Sequence, residues 1–305
     1  MKHGSSMKHN KESSPARPSF WRAALRRLLC LALTILLAAF LAAALVRLAP
    51  GFGTDERMLD TRLSESSIHA IEAESAGNAN LFRYFGRYLS GLCRGELGQS
   101  SSFNQPVREL IAERLGLTLR SVAEGMAWAW TTAIVAALAL GVLKRRSLAL
   151  AVTALSGGLL CLPAAVIGLL ALYLGVGPGA AIGAILLPRI LRYIHNITGA
   201  MTRQPHVLAA RARGIEGLAL LLRHVWLPAS AELLALAGVS VNMALGAAIP
   251  VEALCDSPGV GQLVWKAALA RDLPVVVNVT ILIAAITAST SLVSDAVRCA
   301  MWKDA

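Results

Sequence analysis

A run of nineteen uncharged residues, LLCLALTILLAAFLAAALV at Leu28–Val46, constrains the fold of this chain more than any other feature of its sequence. A helix needs about 20 predominantly apolar residues to cross the hydrocarbon core of a bilayer. The run is longer than the apolar core of a signal peptide. It therefore predicts a first membrane helix that stays in the mature protein.

Comparable apolar segments recur along the chain, which is 56% hydrophobic and only 15% charged. Soluble domains usually carry about a quarter of charged residues. The composition therefore predicts an all-α membrane protein with about six transmembrane helices. After the first, the predicted spans are Leu117–Leu143, Ser147–Leu174, Gly177–His195, Val225–Ile249 and Val275–Ala300.

The basic residues predict the orientation of these spans. Lysines and arginines cluster before the first span, at Lys144-Arg145-Arg146, in the 199–224 loop and in the C-terminal tail. The positive-inside rule then places both termini and the 199–224 loop in the cytoplasm. The net charge of +11 does not indicate a nucleic-acid partner, because no basic stripe alternates with aromatic residues.

The same pattern predicts three regions. Residues 1–24 form a basic cytoplasmic tail that we expect to be disordered, residues 25–116 the first membrane helix and an outer loop, and residues 117–302 a core of five membrane helices. Within the outer loop, LFRYFGRYLSGL at 81–92 carries aromatic and leucine residues at helical spacing. This segment is either an amphipathic helix at the membrane interface or a small extramembrane helix packed on the loop.

One short basic helix is predicted inside the 199–224 loop. Pro205 suits the first helical position, and Gly214 suits the position just past the end of a helix. Arg211 and Arg213 lie in the last turn, where the helix dipole favours cations. Such an element indicates a docking site for a cytoplasmic partner, and the alternative is a basic turn that only fixes the topology.

This loop, AARARGI followed by LLRH, resembles the coupling loop of ABC importer permeases, above all those of the dipeptide/oligopeptide/nickel group. Further blocks resemble the same family in the same order, so the resemblance covers residues 25–302. They are LVRLAPG (45–51), YLSGLCRGELGQSSSFNQPVRELIAERLGLTL (88–119), LCLPAAVIGLLALYL (160–174), VEALCDSPGVGQLVWKAALARDLPVV (251–276) and SLVSDAVRCAMW (291–302).

The resemblance implies a permease subunit in the bacterial cytoplasmic membrane, importing peptides or a related small solute, with nickel as an alternative cargo. It implies a second permease subunit (identical or different), two cytoplasmic ATPases and an external solute-binding protein. The implied ATPase contact consists of Ala209, Ala210, Arg211, Ala212, Arg213 and Gly214. We expect no cofactor in this chain and ATP in the partner subunits, because no GxxxxGK[ST] phosphate loop occurs in the sequence.

The chain departs from the family pattern at Asp256-Ser257, where the family has an aromatic residue, in its C-terminal tail, which lacks the usual DPR ending, and in two loops. Leu208 stands where the family's coupling loop usually has a glutamate. The segment GVGPGAAIG at 175–183 replaces a longer outer loop between the third and fourth spans.

Two polar residues of the fifth predicted span, Glu232 and Asn242, are candidates for the translocation path, because polar groups within a membrane usually face a cavity or a partner. The alternatives are a near-interface position for Glu232 and an interhelical hydrogen bond for Asn242. Pro163 and Pro188 should kink or loosen their helices. The turn at Ser257–Gly261 should lead into an amphipathic outer segment.

The sequence shows no catalytic or metal-binding constellation among its histidines and scattered cysteines. A transport subunit is therefore favoured over a membrane-embedded enzyme. The main alternative is a secondary transporter or channel driven by an ion gradient, which should show paired broken helices or clustered intramembrane acids.

Overall fold

The computed structural model describes residues 20–48, 86, 90–92, 94–143 and 146–303. The predicted tail at 1–24 and the predicted amphipathic helix at 81–92 fall largely outside these ranges. Within them the chain is helical, and the only extended pairing is the bridge between Gln99 and Pro106. The helices are α1 (Phe20–Leu48), α2 (Val107–Leu143), α3 (Arg146–Leu160), α4 (Ala164–Tyr173), α5 (Pro178–Met201), α6 (Pro205–Ala212), α7 (Gly217–Leu220), α8 (Ser230–Leu254), α9 (Val260–Leu269) and α10 (Leu273–Lys303). A π-helical turn, Leu221–Trp226, follows α7.

Helices α1, α2, α8 and α10 are long and apolar enough to cross a membrane. The predicted all-α membrane fold is therefore confirmed. The described residues give four such helices, or five if α3 and α4 form one bent span, against the expected six, and α5, which corresponds to the predicted fourth span, is not among them. Several boundaries differ from the sequence prediction, and α5 runs to Met201 instead of ending at His195. Helix α2 begins ten residues before the expected span, at Val107, and α8 runs from Ser230 to Leu254 instead of from Val225 to Ile249.

The third predicted span is not one straight helix. Helices α3 and α4 meet at an angle of 94°. The break falls at Cys161 and Leu162, just before Pro163, because the proline ring disfavours helical geometry in the residue before it. The predicted kink at Pro163 is thus confirmed and is larger than expected, whereas α5 continues through Pro188 without a break.

Helix α5 lies at the centre of the bundle and packs against α2, α3, α4 and α8. Its contact with α2 is close because small residues meet there. A Cβ atom at Gly125 of α2 would lie only 2.7 Å from the backbone oxygen of Gly179. Buried alanines continue this surface of α2 every four residues, at Ala129, Ala133 and Ala137. Small residues allow membrane helices to approach closely, which explains this packing.

The remaining helices surround this centre. Helix α9 buries Val260, Leu263 and Ala267 against α2 and α10, so the predicted amphipathic segment after the Ser257–Gly261 turn is confirmed. Helix α1 packs along α10 through Ala39 and Ala43. Its leucines on the other sides are exposed, as expected for a helix in contact with lipid.

Candidate functional site

The short basic helix α6 begins and ends as its sequence predicts. Pro205 occupies the first turn after Gln204, and the helix runs to Ala212. Gly214 has φ of +80°, a conformation that favours glycine. The backbone N–H of Gly214 donates to Arg211 O, and that of Ile215 donates to Ala210 O. This pair of bonds is a Schellman motif, which satisfies the last carbonyls of the helix.

The two faces of α6 differ in exposure. Val207 and Ala210 are buried in an apolar cluster with Leu220, Leu221 and Val225, which we call the α6 cluster. Of the six residues predicted to contact an ATPase, Ala210 therefore faces the bundle. The other five are exposed: Ala209, Arg211, Ala212, Arg213 and Gly214. Leu208 is also exposed, so the position where the family carries glutamate lies on the free face.

The α6 cluster connects α6 to the membrane helices. Leu138 of α2 and Met201 of α5 pack against it. A hydrogen bond of 3.0 Å joins the His206 ring to the backbone oxygen of His224 in the π-helical turn. The indole of Trp226 in the same turn donates to Thr198 Oγ1 of α5 over 3.1 Å. A displacement of α6 would therefore act on the π-helical turn that precedes α8.

Both path candidates lie on α8, at different depths. Glu232 is exposed in the first turn of the helix. Asn242 is half-buried, and its Oδ1 atom is buried without a hydrogen-bond partner among the described residues. Ten residues separate the two positions, which corresponds to about 15 Å along a helix. They do not form a single cluster.

A buried polar site at the other end of α8 was not predicted. The side chain of Glu252, in the last turn of α8, is completely buried. Its Oε2 accepts hydrogen bonds from Thr118 Oγ1 (3.1 Å) and from the backbone N–H of Gly261 (2.8 Å). Thr118 Oγ1 in turn accepts a bond of 2.8 Å from Val260 N–H. This network ties α2, α8 and the first turn of α9 together.

A second buried carboxylate holds the hairpin-like segment 98–106 on the same end of the bundle. Asp272, at the start of α10, accepts hydrogen bonds from Ser100 Oγ and from the backbone N–H of Ser102 (3.0 Å). Asn278 of α10 donates to Leu97 O over 2.8 Å. These pairings were not predicted from the sequence, because 170 or more residues separate the partners.

Two arginines of α5 were also missed. Arg189 and Arg192 are exposed near the middle of this otherwise largely buried helix. The signal was present in the sequence, since a charged residue inside a predicted membrane span usually marks a cavity or a partner.

No group of three or more histidine, cysteine or acidic side chains suited to hold a metal ion occurs within the described residues. The prominent site of the molecule is thus a small, exposed, basic helix held against a bundle of membrane helices. That arrangement defines a helical membrane protein with a short, exposed, basic helix beside its bundle.

Comparison with known families identifies the class more narrowly. Residues 114–300, more than half of the chain, match the family described as binding-protein-dependent transport system inner membrane component. The chain belongs to this family of ABC importer permeases. It is accordingly a multi-pass inner-membrane transport component, as the resemblance in the sequence indicated.

Individual relatives agree with this assignment. A protein of Brucella ovis named as a peptide permease is 28% identical over 302 residues, covering 87% of this chain and 91% of that protein. The glutathione transport system permease protein GsiC of Salmonella paratyphi A is 27% identical over 271 residues, covering 83% and 88% respectively. GsiC of Escherichia coli is 25% identical over the same length.

Proposed function

We propose that this chain is the transmembrane subunit of an ATP-driven importer that moves peptides or a related small solute inward across the cytoplasmic membrane. The observation that carries the proposal is the exposed face of α6, with Arg211, Arg213 and small alanines presented outside the bundle. A cationic surface with small side chains suits close docking of another protein. Membership in a family of binding-protein-dependent transport components supports the same reading.

The contacts of α6 suggest how ATP binding would act on the bundle. One of the two cytoplasmic ATPases would bind α6 through Ala209, Arg211, Ala212, Arg213 and Gly214, and Ala210 would hold the helix against the bundle. Movement of α6 would pass through the α6 cluster to the π-helical turn and so to α8. A ligand shifts such a two-state element only as far as it binds one state better than the other.

The full transporter would contain a second permease subunit, identical or different, and an external solute-binding protein. This chain would contribute no cofactor, since ATP would be bound by the ATPases. The names of the relatives, peptide permease and glutathione permease, favour a peptide-like cargo over nickel. Both termini and α6 would be cytoplasmic, which puts α9 and the 98–106 segment on the outer side, facing the binding protein.

Glu232 and Asn242 remain proposed members of the translocation path. The unpartnered Oδ1 of Asn242 supports its assignment, because a buried amide oxygen without a hydrogen bond costs roughly 1–3 kcal/mol unless water or another group satisfies it. A hydrated path beside α8 would supply that partner.

The docking proposal is tested by co-purification of the ATPases with variants of α6. We expect Arg211→Glu combined with Gly214→Pro to abolish ATPase association while the chain still inserts in the membrane. Arg203→Glu is the matched control, since Arg203 is also an exposed arginine of the same loop but precedes α6. Unchanged ATPase association in the α6 variant, or equal loss in the control, would refute the assignment.

An ion-gradient-driven transporter or channel is the alternative function. It predicts solute uptake that collapses with a protonophore and is indifferent to ATP. Uptake in proteoliposomes loaded with ATP, with and without the ion gradient, separates the two functions directly.

A further inference from the structure

Helix α5 lies at the centre of the bundle, and the exposed face of its second half is polar. Ten of its residues are buried against neighbouring helices, among them Ile182, Leu186, Ile190 and Ile194. The exposed face in the second half of the helix carries Arg189, Arg192, Tyr193, His195 and Asn196. Positions 189, 192, 193 and 196 follow the i, i+3, i+4, i+7 spacing that places residues on one face of a helix.

The two arginines lie deep along α5. Arg189 is the twelfth of the 24 residues of the helix, so about 16–18 Å of helix extend on either side of it. Neither guanidinium has a hydrogen bond or an ion pair within the described part of the chain. Both charges are therefore exposed and uncompensated within the described residues, inside the segment that the sequence predicts to span the membrane at 177–195.

Lipid is a poor environment for this face. An arginine at the centre of a membrane helix costs about 2.5–3.5 kcal/mol on insertion scales, and snorkelling to the headgroups relieves this cost mainly near helix ends. Two such residues on one turn, flanked by a tyrosine and an asparagine, fit a water-filled cavity instead. The other faces of α5 are covered by α2, α3, α4 and α8, so this face is the one left open to such a cavity.

The chemistry of the face specifies what it can bind. A guanidinium presents a planar set of donors that matches a carboxylate in a bidentate manner. Tyr193 and Asn196 add neutral hydrogen-bonding groups beside the two charges. The same charges would repel a bare divalent cation, so the face disfavours free nickel as the cargo.

We propose that Arg189 and Arg192 form an anion-recognition site in the translocation path, which binds a carboxylate of the transported solute. The inference rests on the proposed permease function and deepens it by naming the chemical class of the solute. Peptides with a free C-terminal carboxylate belong to that class, and solutes with a second carboxylate would gain from both arginines.

The test measures the electrostatic selectivity of the face with small reagents, because the solute is unidentified. Asn196→Cys is introduced in the assembled transporter, in a chain whose native cysteines are replaced by alanine. Its modification rates by an anionic sulfonatoethyl and a cationic trimethylammonioethyl methanethiosulfonate are then compared. Reaction requires the thiolate and hence water. We expect the anionic-to-cationic rate ratio to fall about tenfold when both arginines become glutamine, since a charged cleft concentrates counter-ions by tenfold or more.

Two controls calibrate the rates. Leu33→Cys, on the exposed apolar surface of α1, should react with neither reagent because it faces lipid. Arg189→Lys with Arg192→Lys keeps both charges and should preserve the rate ratio. This pair also guards against a glutamine variant that fails to assemble.

Three results would overturn the proposal. Asn196→Cys could be as unreactive as Leu33→Cys, which would mean that lipid or protein covers the face. The rate ratio could be insensitive to the glutamine substitutions. The second permease could dissociate from the glutamine variant, which would make the arginines an intersubunit contact. The same modification rates are also measured with ATP and with ATP plus vanadate. If the charge selectivity is present but neither condition changes the rates, the ATP-driven function is refuted and the anion site is not.

Discussion

The two ends of α8 are held by different kinds of interaction. At its α9 end, the buried Glu252 carboxylate connects three helices through directional hydrogen bonds. At its α6 end, the preceding π-helical turn meets α6 through an apolar cluster and, among the described residues, a histidine-to-backbone hydrogen bond. Apolar contact is non-directional, so it tolerates small shifts that a buried hydrogen-bond network does not. The comparison indicates a fixed α9 end and an α6 end suited to transmit movement.

The largest effect should come from removing the Glu252 side chain. Glu252→Ala leaves the Thr118 hydroxyl and the Gly261 N–H without their acceptor and opens a cavity, so we expect a loss of about 3–5 kcal/mol in the free energy of unfolding. Reversible unfolding in mixed detergent micelles measures this loss. Glu252→Gln is the matched control, because it keeps an acceptor oxygen and nearly the same volume. Equal losses in both variants would show that the bonds to Oε2 do not hold this end.

The next largest effect should come from Asp272, which holds the 98–106 segment. Asp272→Ala removes the acceptor for Ser100 and Ser102 at the start of α10, with an expected cost of about 2–3 kcal/mol. Hydrogen exchange should accelerate at the backbone amides of 100–107. Asp272→Asn retains an oxygen acceptor and should protect these amides largely as the native residue does. Rapid exchange in both variants would argue that the charge, and not the bond pattern, organises the segment.

At the α6 end, a truncation in the α6 cluster should loosen α6 without unfolding the bundle. Val207 is fully buried, so Val207→Ala should cost about 1–2 kcal/mol, within the usual range for a core truncation. Its neighbour Leu208 is 54% exposed, and Leu208→Ala should change stability by less than about 0.5 kcal/mol. Faster hydrogen exchange confined to α6 in Val207→Ala is the expected signature. Global loss of protection would contradict a locally held α6.

The smallest effect should come from the turn that ends α6. Gly214→Ala forces an alanine into left-handed geometry, at a cost of about 1 kcal/mol. Gly199→Ala is the control, since neither glycine has any atom within 4 Å of an added Cβ and Gly199 lies inside α5 with ordinary helical geometry. Gly199→Ala should be neutral or stabilising, because alanine is about 1 kcal/mol more favourable than glycine inside a helix. Equal changes in the free energy of unfolding at both positions would show that the φ of +80° at Gly214 does not cause the destabilisation.

Much of the α6 end was predictable from the sequence. Proline and glycine mark the limits of α6 by local backbone preferences that act within a few residues. The outward position of Arg211 and Arg213 follows from their charge. The inward position of Ala210 cannot be predicted from the sequence, because alanine suits either face of a helix. Its burial depends on packing against Leu220 and Leu221.

The α9 end was predictable only in part. The amphipathic pattern of α9 was recognisable in the sequence. The predicted fifth span, however, ended at Ile249, five residues before the end of α8, and so left Glu252 in an outer segment. A buried glutamate looks like a surface residue in the sequence, since its burial depends on donors from Thr118, 134 residues away.

The sequence by itself determined that this chain is a helical membrane protein with a short basic helix, because hydrophobic length, charge placement and proline or glycine positions act locally. Pro163 predicted a kink in the third apolar segment, but the tertiary structure alone decided its size of 94° and the position of α5 at the centre of the bundle. It also decided which polar residues are buried in networks and which, like Arg189 and Arg192, remain exposed. The physical reason is that burial and pairing of polar groups depend on partners distant in the chain, which no local pattern encodes.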